Sequence, residues 1–139
     1  MNKKNIVGIV FGTIIAGIVG IYVQDLFGGQ QSFDKVMMQM ASELNKTCPI
    51  MVDSETRLEN SVTLPDNKFQ YNYSLVNYTI EELDLEQLRS NIEPGIITNI
   101  RTNPDLKFFR ENQITMIYSY KDKNEVHLFK IEVTPDLYN

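Results

Sequence analysis

The spacing of apolar positions along the chain is first continuous, then helical, then alternating. From Ile6 to Val23 no charge interrupts the run, with Lys3 and Lys4 before it and Asp25 after it. At about 1.5 Å per residue such a helix is about 27 Å long, close to the apolar thickness of a bilayer. The run predicts a single N-terminal transmembrane helix. Its rival is a cleaved signal peptide, which has a shorter apolar region, about 7–15 residues, and a small-x-small site. Phe27-Gly28-Gly29 has Phe where the outer small residue belongs, which favours an uncleaved anchor. Lys3 and Lys4 place the N-terminus in the cytoplasm and the rest of the chain outside.

After the run the period becomes helical. Phe33, Val36, Met37, Met40, Ala41 and Leu44 share one face of a helix from a Ser32 cap to about Lys46. Ile50 to Leu64 then alternates, with apolar Ile50, Val52, Leu58, Val62 and Leu64 at even positions, and predicts one long strand. Pro65-Asp66-Asn67-Lys68 is a turn, and Phe69, Tyr71, Tyr73 and Leu75 face inward on the returning strand. Thr79-x-x-Glu82 is a capping box for a helix to about Ile92. Pro94 biases Glu93 out of helix, so the stretch to Phe109 reads as one broken helix or two. Ile114, Met116, Tyr118 and Tyr120, then His127, Phe129, Ile131 and Val133, mark a second hairpin turning at Asp122-Lys123-Asn124. The predicted fold is α+β: the anchor, then a two-layer domain in the order α-β-β-α-β-β, a four-stranded antiparallel sheet with helices on one face. The parts are a cytoplasmic tip (1–5), the anchor (6–23), a linker containing Gly28-Gly29 (24–31) and an extracytoplasmic domain (32–139).

Composition narrows the partners. The net charge is −5, and more negative still without Lys3 and Lys4. An acidic domain repels phosphate backbones, which argues against nucleic-acid binding. One cysteine excludes an internal disulfide. No sequence motif calls for a cofactor or a metal, and none marks a catalytic residue. The chemistry that the residues offer is thin: Cys48 and His127 as a thiol pair, Arg57 between Glu55 and Glu59 as a cross-strand ion pair, and the acidic Glu81, Glu82, Asp84 and Glu86 at a helix start. Met37, Met38 and Met40 read as packing, with an adaptable groove as the alternative. Within the apolar run, Gly8, Gly12, Ala16 and Gly20 recur every four residues. Such a smooth stripe predicts close helix association, with a second copy or another membrane protein, although glycine is common in membrane helices.

Leu44-Asn45-Lys46-x-x-Pro49-x-Met51-Val52-Asp53-x-x-Thr56-Arg57-Leu58, followed by Tyr71-Asn72-Tyr73-Ser74-Leu75-Val76-Asn77, resembles a pattern in small, uncharacterised bacterial exported or membrane-anchored proteins. The resemblance implies a bacterial envelope protein and supplies no active site. The expectation is a single-pass membrane protein whose outer domain binds a protein or assembles a complex. The alternatives are an inhibitor or immunity-type protein and a thiol enzyme using Cys48 and His127.

Overall fold

In the computed structural model, which describes residues 33–139, α1 runs from Phe33 to Lys46. It buries Val36, Met37, Met40, Ala41 and Leu44, the face that its 3.6-residue period predicts, and leaves Phe33 half-buried. The expected transmembrane helix and its expected glycine–alanine association stripe fall outside the described residues. Among those residues, no helix is long and apolar enough to cross a membrane.

The predicted four-stranded antiparallel sheet is replaced by a mixed sheet of five strands, ordered β1-β2-β3-β4-β5. Its strands are β1 (Ile50–Met51), β2 (Thr56–Leu64), β3 (Lys68–Leu75), β4 (Thr115–Lys121) and β5 (His127–Val133). Two local causes account for the difference. The stretch expected to be one strand folds back on itself at Asp53, whose Oδ1 accepts the Glu55 and Thr56 N–H groups, both at 2.8 Å. An aspartate that bonds the backbone two and three residues on makes a turn compete with extended chain. Ile50 then pairs with Leu58, and a fifth strand results.

The second cause is the crossover. β3 and β4 pair in parallel, Lys68 with Thr115 and Tyr73 with Tyr120. Parallel neighbours need a long return connection, usually helical. Here it is a 3₁₀ turn (Ile80–Glu82), α2 (Leu85–Thr102), a second 3₁₀ turn (Pro104–Leu106) and α3 (Lys107–Glu111). α2 is continuous through Pro94, because Leu88, Ile92, Ile96 and Ile100 form a buried stripe while Pro94 faces solvent. α4 (Pro135–Tyr138) closes the chain, and Tyr138 Oη donates to the Ile114 carbonyl at 2.8 Å.

A second correction concerns facing. The register of β2 against β3 shifts between Leu58 and Asn60, so Glu59 is the extra residue of a bulge. An extra residue flips every later side chain to the other face. Ser61 and Thr63 therefore join the core-facing rows with Tyr71 and Phe69, and Val62 and Leu64 turn outward, 38% and 37% exposed. A register shift at Tyr120 likewise leaves His127 exposed while Phe129, Ile131 and Val133 stay buried. The buried side chains of the helices and of the inner sheet face form one core.

Candidate functional site

Cys48 and His127 are not brought together. Cys48 precedes β1 at one edge of the sheet, whereas His127 opens β5 at the other edge. The row Arg57, Ser74, Lys121, His127 crosses from β2 to β5, three strand spacings, about 14 Å. Burial pushes the Cys48 thiol above its ordinary value, a hydrogen bond to Thr47 pulls the other way, and Glu59 adds to the rise. A raised thiol is a poorer nucleophile at neutral pH. Arg57 pairs through Nε with Glu59 on its own strand, and Ser74 lies across from it. Two members of the acidic run bond local backbone and side chains: the Thr79 N–H and hydroxyl meet Glu82 Oε1 at 3.3 and 3.1 Å, and Asp84 caps α2 by accepting the Gln87 N–H. Among the described residues no three His, Cys, Asp or Glu side chains are grouped to hold a metal.

The centre of the sheet is aromatic. Tyr71, Tyr73, Tyr118 and Tyr120 form a two-by-two patch on the core face of β3 and β4, all buried. The Tyr73 and Tyr120 rings stack at 5.1 Å and 16°. Burial raises the pKa of all four, and like-charge coupling among the phenolates raises those of Tyr73, Tyr118 and Tyr120 further. These rings are part of the hydrophobic core.

The feature with open geometry is the outer edge of β2. β1 covers it only at Arg57 and Leu58. Beyond that, Ser61 is satisfied by a side chain of α1. Its N–H donates to Asn45 Oδ1 at 2.7 Å and its carbonyl accepts from Asn45 Nδ2 at 2.9 Å. Backbone groups in an antiparallel ladder alternate in direction, so Thr63, two residues on, turns its N–H and C=O the same way. They face a groove of about 470 Å³ lined by Phe33, Asp34, Met37, Met38, Leu64 and Pro65. Met38 is 62% exposed, so one of the three methionines lies on the surface while Met37 and Met40 are core. The sequence reading missed this place, because its strand register put Leu64 and Val62 inside. A bulge at Glu59 has no signal in residue type.

The fold is shared with solved structures of low sequence identity. It superposes on a crystal structure of a protein from Pseudomonas aeruginosa described as secreted, at 13% identity and TM-score 0.57, over 80% of this chain and all of the other. It also matches the type II secretion pilotin EpsS of Vibrio vulnificus, at 8% identity, TM-score 0.58, 76% of this chain and 90% of that one. The type II secretion pilotin AspS of Vibrio cholerae matches at 11% identity and TM-score 0.56, over 74% and 89%. At these identities the likeness is one of fold. By sequence, residues 32–129 match the model of the Domain of unknown function (DUF8479), and the chain belongs to that family. No protein in the curated set matches.

Proposed function

We propose that this is an exported protein of the bacterial envelope whose folded domain binds a protein partner and assists the assembly of a membrane complex. The observation that carries this reading is the open, uncharged end of β2 beside a groove walled by Phe33, Met37, Met38, Leu64 and Pro65 and rimmed by Asp34 and Asp66. Native sheets cover or charge such edges unless they are used. The sharing of the fold with two pilotins and a protein described as secreted supports the envelope setting. The separation of Cys48 from His127, and the raised Cys48 thiol, favour binding over thiol chemistry.

The test is photocrosslinking in cells from position 38, where a photoreactive residue replaces the exposed Met38. The expected result is a covalent adduct with another envelope protein in a membrane fraction. Recovery of the protein from the cytosol with no adduct would overturn the reading.

A further inference from the structure

The two edges of the sheet differ in how they are protected. On β5 the solvent-facing positions are charged, Lys130 and Glu132, which is the usual protection of a sheet edge. On β2 the segment after the Asn45 cap reads Val62-Thr63-Leu64, with no charge. Beside it the groove walls are Phe33, Met37, Met38, Leu64 and Pro65, and its rim carries two carboxylates, Asp34 and Asp66. Neither carboxylate belongs to an ion pair among the described residues. Pro65 ends the usable edge because it has no N–H. What is left is one outward donor–acceptor pair on Thr63, apolar walls on both sides and a negative rim.

We infer that this groove takes an extended segment of a partner protein, rich in alternating apolar and basic residues, added as a short strand to β2 at Thr63. The inference rests on the partner-binding reading above and names the chemistry of the partner. Main-chain bonds to the Thr63 N–H and C=O set the register, and alternate side chains of the segment enter the groove. Thioether side chains at 37 and 38 adapt to apolar groups of different shape. Two other occupants fit less well. Pairing of two copies through this edge brings Asp34 and Asp66 of each against the same acids of the other, and like charges opposed across a strand pair are unfavourable. The residues that precede Phe33, Gln24 to Ser32, contain Asp25 and no lysine or arginine, so they offer no counter-charge.

The experiment uses the full chain in detergent micelles and a fluorescent six-residue peptide of alternating lysine and valine, with binding read by anisotropy. Two control peptides carry glutamate in place of lysine, or N-methyl groups on the backbone face that pairs. The lysine–valine peptide is expected to bind, the N-methylated one about ten-fold more weakly, and the glutamate one about five-fold more weakly. Thr63→Pro, which edge strands tolerate, removes the donor and should also cost about ten-fold. Asp34→Lys combined with Asp66→Lys should reverse the preference between the lysine and glutamate peptides. Near-ultraviolet circular dichroism of each variant checks that the fold is kept. Exposed Leu64→Lys supplies a second block that does not touch the core.

Equal affinity for the N-methylated peptide, or no loss in Leu64→Lys, overturns strand addition at this edge. So does a dimer in sedimentation that Leu64→Lys dissociates while the peptide fails to bind. A ten-fold gain in peptide affinity on Leu26→Ser with Phe27→Ser assigns the groove to the chain's own preceding segment and equally overturns the proposal. In cells, Leu64→Lys should abolish the adduct formed from position 38. If the adduct persists, the groove assignment falls while the assembly reading stands. If neither wild type nor variant gives an adduct, the assembly reading itself falls.

Discussion

The side-chain amide of Asn45 replaces a strand partner for Ser61, accepting its N–H at 2.7 Å and donating to its carbonyl at 2.9 Å. The Ser61 hydroxyl adds a bond to Asn45 Oδ1 at 3.0 Å. A helix side chain thus blunts the sheet edge for one residue and leaves the next outward residue, Thr63, beside the groove. Asn45→Ala leaves the Ser61 backbone pair without protein partners and is expected to destabilise the domain by about 1–3 kcal/mol. Hydrogen exchange checks it: the Ser61 amide should lose protection more than the amides of β3.

Asp122 is a buried carboxylate bonded to backbone. It accepts the Asn124 and Val126 N–H groups at 2.8 and 2.9 Å, and the Ile80 N–H, from the start of the crossover, at 2.8 Å. Burial pushes its pKa up, but the three N–H groups and Lys123 outweigh that and hold it below 3.8. A carboxyl depressed in the fold contributes stability at pH values above its unfolded value, and that stability is lost as pH falls through the folded value. Thermal unfolding between pH 7 and pH 2 should show this as an acid limb beginning near the unfolded value of about 4. Asp122→Asn should flatten that limb and lower stability at neutral pH by about 1–3 kcal/mol. An unchanged acid limb in the variant would show that other carboxylates set it.

At alkaline pH the tyrosine patch dominates. The pKa values of Tyr71, Tyr73, Tyr118 and Tyr120 lie above the ordinary 10.0. A group whose pKa is raised in the fold stabilises it below the unfolded value and loses that contribution as pH rises toward the folded one. Stability should therefore fall steeply above pH of about 10. Tyrosinate absorbance of these four rings should appear together with unfolding, in one cooperative step. Separate titration of the four before unfolding would contradict their burial.

Pro94 lies exposed in the middle of α2, where it removes the bond to the Ser90 carbonyl. Pro94→Ala restores the donor and is expected to stabilise the domain by about 1–3 kcal/mol. A higher Tm in calorimetry is the measure. A lower one would mean that proline at this position is needed for Ile92 and Ile96 to reach the core.

Cys48 donates to the Leu44 carbonyl at 3.4 Å and is half-buried. With its pKa raised, it should be alkylated by iodoacetamide more slowly at pH 8 than a free thiol in a short peptide. Cys48→Ala should leave adduct formation from position 38 unchanged. Loss of the adduct in Cys48→Ala would reopen a role for the thiol.

Much of the domain is legible in the order of residue types, and what is not has a local cause. The buried face of α1, the inward faces of β3 and β4 and the Thr79–Glu82 capping box follow from period and capping chemistry, although the box caps only the 3₁₀ turn Ile80–Glu82 and α2 starts at Leu85 behind Asp84. Each is set by residues within a turn or a strand of one another. Three features resisted. Asp53 makes a turn inside an alternating run, because a side-chain acceptor competes with extended backbone. Pro94 stays helical, because a buried leucine–isoleucine stripe outweighs one missing bond. Glu59 bulges, and this reverses Val62 and Leu64.

By itself the sequence determined the apolar faces of α1, β3 and β4 and how acidic the domain is, since these depend on residue type and on neighbours along the chain. Tertiary structure alone decided that β3 and β4 run parallel, that Cys48 and His127 end on opposite edges, and that Thr63 lies beside an open groove. These depend on pairing between distant segments and on a one-residue bulge, and local residue type does not encode either.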